Sequence, residues 1–123
     1  MTKYLITGGC GFIGSHIAEE LLKNPENMVI IIDNLSSGYV KNIEHIKDRV
    51  EFIEGDIRDF SKILHAIEGV DYVFHEAALV SVFDSINRPL DNHSINLTGT
   101  LNVLEGARRN KVKRVVLASS AAV

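Results

Sequence analysis

Thr7-Gly8-Gly9-Cys10-Gly11-Phe12-Ile13-Gly14 stands between an apolar run and an amphipathic stretch, and its glycines answer separate steric demands. Gly8 lets the chain turn sharply off a strand. Gly11 removes the side chain that would hold a diphosphate away from backbone N–H groups, and Gly14 lets a helix pack close to a sheet. An anion bound there rests on the positive end of that helix. Upstream, Lys3-Tyr4-Leu5-Ile6-Thr7 reads as a buried parallel strand. Downstream, Ile13, Ile17, Leu21 and Leu22 recur at helical spacing until Asn24-Pro25 stops the helix. A second apolar run, Met28-Val29-Ile30-Ile31-Ile32, ends in Asp33, close to the spacing of roughly 20 residues expected for an acid that grips a ribose. Strand, glycines, helix, strand and acid in this order predict a dinucleotide-binding unit.

Asp33 also selects the dinucleotide. A carboxylate accepts hydrogen bonds from both adenosine ribose hydroxyls, each charge-assisted bond contributing roughly 1.5 to 3 kcal/mol, whereas a 2′-phosphate would meet like charge. NAD is therefore favoured over NADP. The following Asn34-Leu35-Ser36-Ser37-Gly38 offers small donors in a flexible turn with no Arg to hold a phosphate, and Lys41 is the only nearby cation.

The 123 residues are 46% apolar with two prolines, enough to bury the core of one domain. A net charge of -3 argues against nucleic acid as a partner. The basic run Arg108-Arg109-Asn110-Lys111-Val112-Lys113-Arg114 falls where a helix should end and where cations complement its dipole. Cys10 is the single cysteine, so an internal disulfide is excluded and a reducing cytoplasm fits. Within the phosphate loop it reads as a small space-filler rather than an oxidation-sensitive thiol. No apolar span is long enough to cross a membrane, and the N-terminus enters a strand instead of a signal peptide. No metal-binding constellation is present.

Further along, Val50 to Glu54 is predicted as a third strand, a helix runs from about Phe60 to Ile67 and stops at Gly69, and Val70 to His75 is strand four. A long helix follows Pro89 to about Arg109, with Leu97, Leu101, Leu104, Val103 and Ala107 expected on its inner face, and Arg114 to Ser119 is strand five. This alternation predicts an α/β fold of Rossmann type, a doubly wound parallel sheet covered on both faces in the order 3-2-1-4-5, incomplete at its C-terminal end. Ligands bind at the carboxyl ends of such strands, where Gly8, Asp33, Asp56, Ala77 and Ser119 converge.

Five segments in order resemble the successive motifs of the extended short-chain dehydrogenases/reductases, and within them the UDP-glucose 4-epimerase-like nucleotide-sugar epimerases. They are the glycine loop, Asp33-Asn34-Leu35-Ser36-Ser37-Gly38, Gly55-Asp56-Ile57-Arg58-Asp59, His75-Glu76-Ala77-Ala78 and Ser119-Ser120-Ala121-Ala122-Val123. The resemblance implies that Gly8, Gly11, Phe12, Ile13 and Gly14 hold the pyrophosphate. Asp33, Asn34, Ser37 and Gly38 match the adenosine ribose region, and Asp56 with Ile57 the adenine contact. Ala77, Ala78, Leu79, Asn96 and Ser119 match the remaining cofactor positions, with Ala77 to Leu79 beside the nicotinamide half. Asp56 has a second reading as a helix N-cap, and Asn96 one as a partner of neighbouring backbone. His75 reads as a packed strand-end residue. Ser120 is implied as the catalytic residue that hydrogen-bonds the hexose 4-hydroxyl, and Ser81 as a further substrate contact or a cap of its loop.

The activity implied is NAD-dependent 4-epimerisation of a nucleotide-activated hexose, UDP-glucose/UDP-galactose or the N-acetylated forms, through a transient 4-keto sugar. In similar enzymes a Tyr-x-x-x-Lys motif supplies the base. Here Tyr4, Tyr39 and Tyr72 are followed four residues later by Gly8, Ile43 and Glu76. The chain thus reads as the N-terminal part, residues 1–123, of a longer enzyme, able to bind NAD but inactive alone, with its substrate-binding region elsewhere. A non-catalytic NAD-binding module and a family oxidoreductase with net hydride transfer are the alternatives. Ala121 and Ala122 stand where related 4,6-dehydratases carry an acid pair, which disfavours dehydration. Val80 replaces the Lys common in galactose-pathway epimerases and resembles the branch accepting N-acetylated sugars. Pro89 to Arg109 matches the first of two helices that pair in family homodimers.

Overall fold

The computed structural model describes residues 1–120; Ala121 and Ala122, with the comparison to dehydratases, lie outside the described residues. Strands β1 (Lys3–Thr7), β2 (Met28–Asp33), β3 (Val50–Glu54), β4 (Tyr72–His75) and β5 (Arg114–Leu117) form one parallel sheet in the order β3-β2-β1-β4-β5, as expected. Helices α1 (Phe12–Leu21), α2 (Phe60–Ala66) and α5 (Thr100–Arg109) cover its faces. Strand side chains alternate between faces. Leu5, Ile30, Ile32 and Val73 therefore meet Ile63, Ala66 and Ile67 with Val103 and Ala107 on one side. Ile6, Val29 and Ile31 meet Ala18, Leu22, Ile43 and Ile46 on the other. Burial on both faces is the reason the central strands read as unbroken apolar runs.

The register places the site. Thr7 pairs with Ile32 and with His75, Asp33 with Glu54, and His75 with Leu117. Gly8, Asn34, Gly55, Glu76 and Ala118, each the first residue past its strand, consequently emerge side by side along one edge.

Several boundaries depart from the sequence reading. Helix α1 ends before Asn24-Pro25, β4 begins at Tyr72 instead of Val70, and β5 stops at Leu117 instead of Ser119. The long helix is not continuous: α4 (Pro89–Asn92) passes into a π-helical stretch, His93–Gly99, before α5. Its inner face is also corrected. Val103 and Ala107 are buried as expected, but Leu97, Leu101 and Leu104 are 58%, 61% and 40% exposed. The face turned to the core is built from small residues, Gly99, Val103, Gly106 and Ala107. A Cβ on Gly99 would lie 2.5 Å from Ile57 Cδ1, so the helix sits too close for leucines there. Two elements were not anticipated. Val40–Arg49 forms 3-10 turns, seated by Ile43 and Ile46 three residues apart, the repeat of that helix. Helix α3 (Val82–Asn87) starts where the Ser81 hydroxyl accepts the Asp84 N–H at 3.2 Å.

Candidate functional site

The carboxyl edge of the sheet opens into a cleft of about 540 Å³. Gly8, Gly11, Phe12, Ile13, Gly14, Asp33, Asn34, Ser37, Gly38, Asp56, Ile57, Ala77, Ala78, Leu79 and Ser81 all line it, so most of the expected site residues are brought together. Asn96, Ser119 and Ser120 are not among its lining residues. The two serines follow β5 as exposed residues at the same edge.

The glycine loop is a tight turn fixed by backbone bonds. Gly8 N–H donates to Ile32 O at 2.8 Å and Gly11 N–H to Gly8 O at 3.1 Å. Gly8 has φ +69°, and a Cβ there would lie 2.8 Å from Ala77 N. A Cβ on Gly14 would meet Gly8 O at 2.4 Å. Gly11 differs, because the nearest atom to its Cβ position is Gly8 O at 3.3 Å, and Gly11 itself lines the cleft. A methyl group at Gly11 would press only on Gly8 O, far less severely than at Gly8 or Gly14, and would stand at the cleft wall, in the place a bound diphosphate would need. Gly11 is also the N-cap of α1 and makes no side-chain cap bond. The first-turn N–H groups of Phe12, Ile13 and Gly14 are therefore available to an anion.

Asp33 is buried at the end of β2. Its Oδ2 accepts the Cys10 N–H at 2.9 Å and its Oδ1 the Leu35 N–H at 2.8 Å. Both oxygens are thereby oriented, and each keeps lone pairs for further donors. The glycine loop and the acid are thus one built unit. Cys10 shares this link. Its thiol is fully buried and pushed up to about 11 by burial and then by the Asp33 charge, so it stays protonated as a space-filler. Lys41 is not among the cleft's lining residues, and its ammonium lies 5.8 Å from the centre of the Tyr39 ring.

At the far end of β3, Asp56 closes an Asx turn by accepting the Arg58 N–H at 2.9 Å. It pairs with the Arg58 guanidinium at 2.7 Å and accepts the Asn34 amide at 3.0 Å. Arg58 above all, with its backbone N–H and Asn34, lowers the Asp56 carboxyl to about 2 against the opposing effect of burial. The N-cap of α2 is Asp59, not Asp56, so the capping reading of Asp56 fails.

On the β4 side, Asn96 lies in the π-helical stretch, where its amide accepts Leu79 N–H at 2.8 Å and donates to Leu79 O at 2.9 Å. It holds the loop that walls the cleft. His75 is packed at the strand end as expected, with Nδ1 2.6 Å from Thr7 Oγ1 and Nε2 2.9 Å from Thr100 Oγ1. Ser81 lines the cleft and caps α3 at once. The sequence reading assigned no site role to Ile32, Gly55, Glu76, Asp84, Arg88 and Ile95, which also line the wall, while Ser36, read as a small donor of its turn, and Val80, read as a departure bearing on the sugar, line it too. Gly55 and Glu76 were findable as first residues past a strand. Asp84 and Arg88 arrive on and just after α3, which carried no signal, and Ile95 on the segment read as one long helix. Burial pushes the Glu76 carboxyl up. Arg108 and Arg109 pair with Glu105 at 2.7 and 3.0 Å, which makes the basic run a solvated helix end. Among the described residues, no helix is long and apolar enough to cross a membrane, and no group of three or more His, Cys, Asp or Glu could hold a metal ion.

A family model described as the NAD dependent epimerase/dehydratase family matches residues 4–123. UDP-glucose 4-epimerase of Mus musculus is 38% identical over 100% of this chain and 39% of its own length. The crystal structure of the Thermus thermophilus UDP-glucose 4-epimerase complexed with NAD superposes with TM-score 0.87 at 39% identity, covering 96% of this chain and 37% of that one. UDP-N-acetylglucosamine 4-epimerase from Methanobrevibacter ruminantium M1, in complex with UDP-N-acetylmuramic acid, gives 0.91 at 38% identity over 99% and 39%. The chain spans between 37% and 39% of the length of these relatives.

Proposed function

The chain belongs to the NAD dependent epimerase/dehydratase family, and from that premise we propose that it is the NAD-binding part, residues 1–123, of a nucleotide-sugar 4-epimerase. Its substrate is a UDP-hexose, UDP-glucose/UDP-galactose or the N-acetylated forms, turned over through a transient 4-keto sugar. The observation that carries this reading is the joint geometry of Gly11 and Asp33: a glycine-lined backbone cradle at the cleft, tied through Cys10 N–H to a pre-oriented acid.

NAD, when bound, supplies the acceptor and donor of one hydride. The N–H groups of Phe12, Ile13 and Gly14 meet the diphosphate, Asp33 accepts the adenosine ribose hydroxyls, and Asn34, Ser37 and Gly38 close around them. Asp56 and Ile57 flank the adenine. Ala77, Ala78 and Leu79 wall the nicotinamide half, with Asn96 acting through its hold on Leu79 and Ser119 beside it. Ser120 holds the hexose 4-hydroxyl, and Ser81 reaches the sugar. The proton of that hydroxyl needs a base, and no Tyr in these 123 residues is followed four positions on by Lys. These residues therefore bind cofactor without turning over sugar. The intact enzyme is expected to work as a homodimer.

Titration calorimetry of the intact protein tests the reading. NAD binds at least about tenfold more tightly than NADP, and Asp33→Asn weakens NAD by about tenfold or more, the loss of one charge-assisted bond. The same preparation interconverts the C4 epimers of a UDP-hexose without net NADH. Absence of NAD binding overturns the whole reading. NAD binding with no interconversion overturns the epimerase, and steady accumulation of NADH assigns an oxidoreductase instead.

A further inference from the structure

The buried hydroxyl of Thr7 has a proton count that fixes the state of a histidine. Thr7 Oγ1 lies 3.1 Å from the backbone N–H of Glu76 and 3.1 Å from that of Ala77, and both of these groups can only donate. Glu76 N–H is shared with the backbone carbonyl of Thr7, also at 3.1 Å, while Ala77 N–H reaches the hydroxyl; with both donors facing it, the hydroxyl directs its own hydrogen at the remaining neighbour, His75 Nδ1, at 2.6 Å. Nδ1 is then an acceptor, and the imidazole proton resides on Nε2, where it is donated to Thr100 Oγ1 at 2.9 Å. A protonated ring would set an N–H against the Thr7 hydroxyl hydrogen inside the core. Thr7 and His75 are buried, so no bulk water relieves that conflict.

This chain of bonds joins three elements that matter to the cleft. Thr7 immediately precedes the Gly8 turn, His75 ends β4, and Thr100 opens α5. Between them the loop passes so near the turn that a Cβ on Gly8 would touch Ala77. Asn96 holds the other end of the loop at Leu79.

We propose that Thr7, His75 and Thr100 form a positioning relay, operating with a neutral His75 protonated on Nε2, that pre-sets the Glu76 to Leu79 loop against the glycine turn and thereby the wall beside the nicotinamide half. None of the three is a catalytic residue. The relay deepens the NAD-binding reading and rests on it for the identity of what the wall meets.

The test uses the intact protein. Nitrogen NMR of the labelled imidazole reports His75 as the neutral Nε2–H tautomer. Thr7→Val, which keeps shape and removes the hydroxyl, speeds hydrogen exchange of the Ala77 amide and weakens NAD by about tenfold, while Thr7→Ser restores both to within about twofold. Thr100→Val moves both readouts in the same direction, and serves where Thr7→Val does not fold. An Nδ1–H tautomer overturns the relay, as does unchanged NAD affinity in a folded Thr7→Val and Thr100→Val. Should the wild type take up no NAD, the functional reading falls, and the tautomer and exchange measurements still decide the relay.

Discussion

Gly11 and Gly14 stand three residues apart in one loop, and the structure loads them differently. A Cβ at Gly14 would meet backbone on three sides, Gly8 O at 2.4 Å, Gly9 Cα at 2.8 Å and Gly8 C at 3.0 Å, and backbone cannot move aside. Gly14→Ala is expected to destabilise the fold by roughly 1–3 kcal/mol, the usual range for overpacking. Gly11→Ala meets only Gly8 O at 3.3 Å. It should cost only about 1 kcal/mol, from the loss of a favoured N-cap residue and the one tight contact, while NAD affinity falls at least about tenfold. Urea unfolding and calorimetry on the two variants separate the roles; equal stability losses would show that Gly11 serves the fold and not the ligand. These glycines were legible because each answers a steric demand with a fixed spacing. Asp56 and Asp59 were not distinguishable in the same way. Both precede α2 and both suit a cap, and only the Asx turn that ties Asp56 to Arg58 leaves the cap to Asp59.

At the scale of elements, hydrophobic periodicity located the five strands of the described residues and helices α1, α2 and α5, because burial on both sheet faces leaves a strong pattern. It failed on α5, where two faces compete. Leu97, Leu101 and Leu104 form the more apolar stripe, yet the inward stripe is the smaller one, Gly99, Val103, Gly106 and Ala107, set by how closely Ile57, Ile63 and Ile67 approach. Pattern reports which residues are apolar, and approach distance decides which stripe the sheet takes. The π-helical turns of His93–Gly99 have no sequence signal at all, although they carry Asn96 to Leu79. Two substitutions check the assignment. Val103→Ala, in a fully buried side chain, is expected to cost roughly 1–3 kcal/mol in urea unfolding. Leu101→Gln should change the stability of the dilute chain by less than about 0.5 kcal/mol. It should also weaken self-association in sedimentation velocity, since this exposed stripe lies on the segment expected to pair in the homodimer. A larger stability loss for Leu101→Gln than for Val103→Ala would reverse the faces.

For the molecule as a whole, the edge that collects the site also writes its acid response. Burial lowers the His75 pKa from its ordinary 6.5 to about 4, in line with a ring whose Nδ1 is committed to accepting a bond. Above about pH 6.5 the ring is neutral whether the chain is folded or not, and its contribution is fully present. As pH falls toward 4, the unfolded chain binds a proton that the fold refuses, and stability declines by up to about 3 kcal/mol. Asp56, lowered from 3.8 to about 2, adds a second decline in that more acidic window, when its carboxylate loses Arg58. Glu76 runs the other way, because burial raises its carboxyl and its protonation favours the fold as pH falls. Urea unfolding between about pH 7 and about pH 5 should therefore show falling stability in the intact protein, above the range in which most carboxylates titrate. His75→Asn, whose amide oxygen still accepts from Thr7 but which cannot titrate, should be less stable at neutral pH yet lack this decline, keeping the opposite slope that Glu76 contributes. A wild-type profile with the same slope as the variant would mean that His75 takes up its proton inside the fold, and the buried tautomer argued from the Thr7 hydroxyl would then be wrong.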